Sequence, residues 1–372
     1  MSATVESPRP DTGTSTATQR AYRDHAHPLW HRLLLTRESA VVALLLAVAA
    51  YALASVDNFA GPLTLTFLLL DTAPILLIAL PMTMVIVTGE IDLSVASIVG
   101  LASVLTGLLT QAGLPMSLTL LVVLVAGAGA GAFNGFLVAY VGLPSLAVTI
   151  GTLALFRGLA VGLLGTTAIT EFPDAWSDLA TATIGASGVP YVIVPFLLLL
   201  VLFTWLLHFS AFGRGVYDVG LSSEAAHFTG VDVERTKFLL FVLSGAVSAF
   251  AGVYFTLRFG SARGDNATGL ELQVIAAVLL GGVSIFGGRG RLHGVIAGVL
   301  LIGVLSSALR LEGVTVNVIN IVVGLLLVAS VVSPVVIERL GSLRASLSRR
   351  LAARSSGSGA PTGSSSSSRS GA

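Results

Sequence analysis

The stretch GEIDLSVASIVG, residues 89–100, decides the fold because it places two acids between two long apolar runs. The run TAPILLIALPMTMVIVT precedes it over residues 72–88, and IVGLASVLTGLL continues it over residues 98–109. Both runs are apolar enough to lie in lipid, where a charged side chain at the bilayer centre costs at least about 2.5–3.5 kcal/mol. Glu90 and Asp92 are therefore expected at a membrane boundary or inside a helical bundle.

Composition assigns the chain to the membrane proteins. Hydrophobic residues make up 54% of its 372 residues and charged residues only 10%, whereas soluble domains carry about 25% charged residues. One core could not bury so much apolar surface, so we expect an all-α polytopic membrane protein. The net charge of +1 gives no reason to expect a nucleic acid partner. The lack of cysteine excludes disulfides and thiolate chemistry.

Hydropathy predicts about ten transmembrane helices, since a helix that crosses the bilayer needs about 20 residues. The ten segments are approximately 39–56, 64–88, 92–110, 116–140, 145–165, 190–208, 237–257, 271–287, 293–310 and 317–336. The second segment contains Pro74 and Pro81. Because proline lacks the backbone donor of a helix, we expect this span to be kinked or broken.

Small residues recur every four positions in two of the spans. They are Gly127, Gly131 and Gly135 in the fourth span, and Ser244, Ser248 and Gly252 in the seventh. Such a face lets two helix backbones approach closely, which is how helices pack in lipid. We therefore expect both faces to contact neighbouring helices.

The chain divides into three parts by composition. Residues 1–36 are polar and lack the apolar region of a signal peptide, so they are expected to form a cytoplasmic segment. Residues 37–337 hold the spans, and the low-complexity end of residues 338–372 predicts a disordered tail. Arginines cluster before the first span and after the last, which favours a cytoplasmic location for both termini.

This orientation requires an even number of spans and assigns the loops. Residues 209–236 and the turn GGRGRLH, residues 287–293, fall on the cytoplasmic side, and both contain arginines. Residues 166–189 contain three acids and no basic residue, which suits an outer loop. Arg258 and Arg263 also fall outside and are the exception to the rule.

No catalytic or cofactor-binding motif stands out in the sequence. A P-loop needs Gly-Lys before Ser or Thr, and the only lysine, Lys237, lies in RTKFLL. His208, His227 and His293 are isolated in sequence, which gives no support to a metal site. The chain is therefore expected to be a passage or an anchor rather than an enzyme, without a cofactor of its own.

The longest cytoplasmic loop contains the signals of a short helix. Ser222 is placed to N-cap it, Glu224 lies in its first turn, where an acid favours the helix dipole, and Gly230 is placed to end it. Ala225 and Ala226 lie inside it. We expect an amphipathic helix that either packs under the bundle or docks in the groove of a partner.

Four blocks of the sequence lie in the order found in one family. GEIDLSVASIVG resembles the Gly-x-Ile-Asp-Leu-Ser-Val motif of monosaccharide permeases, the ribose, xylose and rhamnose type. SSEAAHFTGVDV, residues 222–233, resembles the Glu-Ala-Ala…Gly loop of bacterial ATP-binding-cassette (ABC) importer permeases. LPSLAVTIGTLALFRGLA, residues 143–160, and the stretch at residues 257–305 resemble two further blocks. The resemblance extends over about residues 40–335.

The resemblance implies ten spans in a fold like that of the cobalamin importer permease. Members of the family pair as permease dimers, are driven by two ATPase subunits that bind the ATP, and receive substrate from an extracytoplasmic sugar-binding protein. The resemblance therefore implies a permease of an ATP-driven monosaccharide importer in the bacterial plasma membrane, paired with a second copy or a paralogue. Residues 37–337 would form the permease domain, and the ATPase would bind residues 213–235. The residues expected to couple the ATPase are Gly213, Arg214, Ser222, Glu224, Ala225, Ala226 and Gly230.

Two features of the first block bear on the branch of the family. Many relatives have Gly-Gly-Ile-Asp where this chain has Gly89-Glu90-Ile91-Asp92. The Val-Ala-Ser at residues 95–97 resembles the rhamnose-type and autoinducer-2 branches. The transported molecule stays open between these branches.

The candidates for the translocation path are polar residues within or between the spans: Glu90, Asp92, Asn134, Thr149 and Arg157. Asp92 is placed to N-cap the third span. Glu90 either borders the path or its gate, or pairs with an arginine such as Arg157. Arg157 needs a partner for its charge, which could be an acid, a cavity or a carbonyl. We prefer an acid that forms a structural ion pair with it. Asn134 either bonds across helices or lines the path.

Two other kinds of function stay open. A proton-coupled secondary transporter would use Glu90 or Asp92, and a channel or membrane scaffold would need neither. The ordered cytoplasmic loop argues against both. Asn317 and Asn320 begin the last span and are expected to cap it or to contact a helix rather than the substrate. If the binding protein alone selects the substrate, the translocation path through the permease can be largely apolar.

Overall fold

The computed structural model of the protein describes residues 37–61, 63–330 and 332, and the regular structure of that part of the chain is helical. The helices are α1 (Arg37–Ser55), α2 (Thr64–Val87), α3 (Val95–Gln111), α4 (Met116–Gly135), α5 (Ser145–Leu164), α6 (Asp174–Thr181), α7 (Ile193–His208), α8 (Ala211–Leu221), α9 (Ser223–Phe228), α10 (Val233–Phe259), α11 (Leu270–Leu280), α12 (Leu292–Leu311) and α13 (Val316–Ser330). A π-helical turn, Phe136–Tyr140, extends α4. The predicted N-terminal segment 1–36 and tail 338–372 lie outside the described residues.

The described helices form a polytopic membrane protein, as predicted. Six of them are long and apolar enough to cross a membrane: α1, α2, α4 with its π-helical turn, α5, α10 and α12. The helices α7 and α8, bent by 65° between them, would together form a seventh. The apolar helices α3, α11 and α13 are shorter. Each of the ten predicted segments contains a helix, but ten helices of full span length are not found in this part of the chain.

The second predicted span is a single continuous helix, so it is not broken at its prolines, and the alternative of a kink stays a prediction. Pro74 has no N–H to donate to the carbonyl of Leu70, four residues earlier. The buried hydroxyl of Tyr254, on α10, donates to that carbonyl at 3.0 Å. A neighbouring helix thereby satisfies the group that proline leaves free, and α2 runs on through Pro74 and Pro81 to Val87.

The eighth predicted span, 271–287, is also corrected. Its helix α11 ends at Leu280 after 11 residues, which is about 16 Å at 1.5 Å per residue, or roughly half of a hydrocarbon core of about 30 Å. The helix stops at Gly281 and Gly282, and Gly282 has a φ of 94° that other residues rarely adopt. Residues 281–291 then form a turn that leads to α12.

The helix α10 lies between α4 and α3. A carbon added at Gly131 of α4 would overlap the carbonyl oxygen of Phe241, and one at Gly252 of α10 would lie 2.6 Å from the carbonyl oxygen of Val99 in α3. The predicted small faces are therefore contact faces, because no larger side chain fits between these backbones. The neighbouring helix α2 is buried along most of its length.

Candidate functional site

The two acids of the opening stretch lie in the α2–α3 junction, residues 88–94, where the backbone is not α-helical. The helix α5 holds this junction in place. The N–H of Ile91 donates to the hydroxyl of Ser145 at 3.2 Å, and the hydroxyl of Thr149 donates to the Ile91 carbonyl at 3.2 Å. Thr149, a predicted path residue, thus contacts the junction backbone.

Asp92 is fully buried and joins three parts of the bundle. Its carboxylate accepts from the Ser94 N–H at 3.0 Å, from the Ser94 hydroxyl at 2.6 Å and from the hydroxyl of Ser244, on α10, at 2.9 Å. The side-chain amide of Asn134, on α4, donates to the same Ser94 hydroxyl at 2.7 Å. Asn134 therefore bonds across helices, which was one of its two predicted roles.

Asp92 does not N-cap α3, contrary to the prediction. The helix begins at Val95 with Ser94 at its N-cap, and no side chain caps it. The carboxylate of Asp92 instead accepts from the N–H two residues on, as Asp side chains do in turns. Its second oxygen is then free to bind Ser244 of α10.

Glu90 pairs with Lys237 rather than with Arg157. The Lys237 Nζ atom lies 2.6 Å from a carboxylate oxygen of Glu90, and the two side chains are only 17% and 16% exposed. Lys237 lies in the first turns of α10, whereas Arg157 lies in the second half of α5. The pair ties the junction to the start of α10.

Arg157 binds backbone carbonyls, so the preferred ion pair is wrong. Its guanidinium donates to the carbonyls of Gly264 at 2.8 Å, Asn266 at 2.7 Å and Ala96 at 3.2 Å. In the described part of the chain no carboxylate lies within ion-pair distance of it. Backbone carbonyls that no N–H reaches need another donor, and Arg157 supplies one to two carbonyls of the non-helical segment 260–269.

The predicted helix of the cytoplasmic loop is present as α9. The Ser222 hydroxyl accepts from the Ala225 N–H at 3.2 Å, which makes Ser222 the N-cap as predicted. Gly230 follows the end of the helix with a φ of 87°. Glu224 and Ala225 are exposed, while Ala226 is buried against α8 and α10.

The helix α8 connects α9 to the bundle. At its start, a carbon added at Gly213 would overlap the carbonyls of α7, and Arg214 beside it is exposed. At its end, a carbon added at Gly220 would overlap the carbonyl oxygen of Val87, the last residue of α2. The Gly288 N–H, from the turn 281–291, donates to that same carbonyl at 2.8 Å. Thus α9, α8 and the α2–α3 junction form a continuous line of contacts.

The surface formed by α9, the end of α8 and the turn 281–291 carries exposed apolar side chains as well as the charged Glu224. Phe228 is 89% exposed, and Phe286, in the turn 281–291, is 82% exposed. Leu221, at the end of α8, is also exposed and lies against Gly288. Large exposed apolar side chains on α9 and on the turn that contacts α8 suit a surface that binds another protein.

A cavity of about 770 Å³ lies at the other end of α10. It contains Asp71, whose two carboxylate oxygens bind Arg258 at 3.1 Å and Arg310 at 3.0 Å. From Lys237 to Arg258, a rise of 1.5 Å per residue gives about 30 Å, which is the thickness of the hydrocarbon core. The cavity and the Glu90–Lys237 pair therefore lie at opposite ends of the bundle.

None of the five predicted path residues lines this cavity. The cavity residues Asp71, Arg258 and Arg310 were missed as a site, although an acid inside the second predicted span was a signal for one. Lys237 was singled out only as the one lysine of the chain. Nothing in the sequence indicated that Gly220 and Gly288 contact the end of α2. Within the described ranges, no group of three or more histidine and acidic side chains could hold a metal ion.

Comparisons with known proteins agree with these motifs. The family model described as "Branched-chain amino acid transport system / permease component" matches residues 64–331. The Autoinducer 2 import system permease protein LsrD of Photorhabdus luminescens is 39% identical over 280 residues, which cover 73% of this chain and 83% of the relative. The protein of the same name from Yersinia enterocolitica is 39% identical over 262 residues, 69% of this chain and 78% of the relative. No solved structure matches.

These matches cover most of the apolar part of the chain and identify it as a transport subunit rather than an enzyme. They also confirm the resemblance to ABC importer permeases that the four sequence blocks predicted. The chain therefore belongs to the transport-system permease component family, and it is a multi-pass membrane subunit of an ABC importer of the sugar type.

Proposed function

We propose that this chain forms the translocation path of an importer for autoinducer 2 or a closely related monosaccharide. The names of its relatives support autoinducer 2 over rhamnose, which the Val-Ala-Ser at residues 95–97 left open. ATP is bound and hydrolysed by a partner ATPase subunit, and an extracytoplasmic binding protein delivers the substrate. The path is completed by a second permease, either another copy or a paralogue.

The helix α9 is the observation that carries this proposal. It is capped and exposed, and its neighbour α8 contacts the last residue of α2 directly. An ATPase that binds α9 would therefore move the α2–α3 junction through short, packed contacts. A ligand can shift a conformational equilibrium only by binding its two states differently, and ATPase contacts at Glu224 and Phe228 would provide that difference.

The polar network of the junction is the proposed inner gate. Glu90, Asp92, Asn134 and Thr149 connect the junction to α10, α4 and α5. Arg157 fixes the segment 260–269 on the other side of α3. In this account the five residues act by positioning backbone and helices at the gate, rather than by contacting substrate in the cavity.

Ten crossings in a fold like that of the cobalamin importer permease remain the proposed topology, with α3, α11 and α13 as short crossings. Both termini and α9 are then cytoplasmic. The two arginines that violate the charge rule each have an acidic partner, since Arg258 is paired with Asp71 and Arg263 with Asp265.

A proton-coupled carrier is less consistent with the contacts of the two acids. Glu90 is held by Lys237, and Asp92 is enclosed by the hydroxyls of Ser94 and Ser244. Neither acid lines the large cavity. A carrier would need at least one of them to exchange protons with water on each side.

Binding of the purified ATPase subunit of the same importer tests the proposal. Glu224→Arg should abolish its capture by the detergent-solubilised permease, and Gly230→Trp should weaken it. Glu312→Arg is the matched control, because Glu312 is an exposed acid just after α12, near the cavity end. If the Glu224 variant, still folded, captures as much ATPase as the parent chain, α9 is not the docking site.

A further inference from the structure

The cavity at the end of α10 remote from α9 has the size of a small-molecule site. Its volume of about 770 Å³ falls within the range of roughly 300–1,000 Å³ that is usual for ligand pockets. It is formed between α2, α10, α11, α12 and α13. Five helices thus converge on one space at the face opposite the proposed ATPase site.

Four uncharged polar side chains on the helices of the cavity wall are free to bind a ligand: Gln273 on α11, Ser306 and Ser307 on α12, and Asn320 on α13. In the described part of the chain none of them makes a side-chain hydrogen bond. Amides and hydroxyls both donate and accept. Gln273, Ser306 and Ser307 are half-buried, where polar groups usually have a partner, and Asn320 is exposed. Asn320, expected to cap or contact a helix, faces this space instead.

The charged groups of the cavity are mostly satisfied by one another. Both oxygens of Asp71 are bound by arginines, so no free carboxylate remains to hold a cation. The Nε atom of Arg258 is buried and has no partner among the described residues. That atom is not accessible from the cavity, so a ligand would meet the neutral donors and acceptors beside Arg310, which is 58% exposed and paired with Asp71 through one nitrogen. This set suits a neutral molecule that is rich in hydroxyl groups.

Two aromatic rings complete the wall. Phe67 and Phe259 are each about half exposed and line the cavity. The guanidinium of Arg258 lies 5.9 Å from the centre of the Phe67 ring and 5.4 Å from that of the Phe259 ring. Flat apolar faces beside a few directed polar groups are the usual arrangement of small-molecule sites.

We propose that this cavity is an outward-facing site in which the permease itself binds a neutral, hydroxyl-rich small molecule before translocation. The inference rests on the proposed function, because it makes the ligand of the cavity the transported sugar. The permease then contributes to the selectivity for the sugar through Gln273, Ser307 and Asn320, in addition to the binding protein.

The natural absence of cysteine allows a direct test. Ser307→Cys introduces a single thiol into the cavity, and its rate of reaction with a membrane-impermeant thiol reagent is measured with and without autoinducer 2 or ribose. Ala186→Cys is the matched control, since Ala186 is exposed and lies outside the cavity wall. Ser306→Cys serves as a second reporter if the first variant does not fold. Uptake by each variant is measured in parallel.

We expect autoinducer 2 or ribose to slow the labelling of Ser307→Cys at least fivefold, and to leave Ala186→Cys unchanged. Gln273→Leu should raise the concentration needed for protection about fivefold to tenfold, as expected for the loss of one hydrogen bond. If uptake depends on the chain but the ligand protects neither cysteine of the cavity, the cavity is not the binding site, and the importer function stands. Protection without uptake would support the site and contradict the proposed function.

Discussion

Glu90 and Lys237 lie 2.6 Å apart and join the α2–α3 junction to the first turns of α10. Both residues are mostly buried, and Lys237 is the only lysine in the chain. The pair lies beside the point where α8 contacts the end of α2. It is therefore placed to transmit or resist any movement that begins at α9.

The Glu90–Lys237 pair should show a measurable coupling energy. Glu90→Gln and Lys237→Met should each lower the stability of the solubilised permease, and the double variant should lose less than the sum by about 0.5–3 kcal/mol. Thermal unfolding of the four proteins measures this. Additive losses would mean that the two side chains do not interact, and Glu312→Gln provides an exposed acid-to-amide control.

Arg157 should be needed for the shape of the segment 260–269. Arg157→Met removes the donor to the carbonyls of Gly264 and Asn266, which should cost at least about 1–3 kcal/mol. Arg157→Lys should recover only part of this, because one ammonium cannot reproduce a planar fork of donors. Unfolding curves and proteolysis of residues 260–269 are the measurements. Equal stability of the Met variant and the parent chain would contradict the assignment.

Tyr254 should matter because of Pro74. Tyr254→Phe removes the donor to the Leu70 carbonyl, with an expected cost of about 0.5–1.5 kcal/mol. In a Pro74→Ala background the new backbone N–H can bind that carbonyl, so the same Tyr254→Phe change should cost clearly less. Thermal unfolding of the four combinations tests this. The explanation fails if Tyr254→Phe costs the same in both backgrounds.

Two glycines of α4 should respond in opposite ways to the same change. Gly131→Ala places a carbon on the Phe241 carbonyl and should separate α4 from α10, which lowers stability and folded yield. Gly129→Ala meets no atom within 4 Å and should be neutral or stabilising, by up to about 1 kcal/mol. Folded yield by size-exclusion chromatography compares the two. Similar behaviour of both variants would show that close packing at Gly131 is not needed.

Local signals in the sequence predicted the fold class and several details. The Ser222 cap, the end of α9 at Gly230 and the small face at Gly131 all depend on neighbours within one turn or on a fixed spacing. The Glu90–Lys237 pair joins residues 147 positions apart, which no local pattern reveals. The partners of Arg157 are backbone carbonyls, which are the same for every residue type and leave no trace in the sequence.

The lengths of the spans were less predictable for a physical reason. Apolar residues continue past Leu280, so hydropathy extends the eighth span, but Gly281 and Gly282 allow the backbone to turn. At Pro74 the helix continues without the break that was one of two expectations, because the compensating hydroxyl of Tyr254 lies on another helix. The cavity around Asp71 depends on five helices at once and could not be assembled from any one segment.

Uptake of labelled autoinducer 2 tests the central claim most directly, with rhamnose and ribose in the same panel. Parent cells and cells lacking this chain are compared, each with and without a proton uncoupler, while cellular ATP is kept high. The account predicts that uptake of autoinducer 2 requires the chain and survives the uncoupler. Uptake that requires the chain but collapses with the proton gradient would contradict it and identify a secondary carrier.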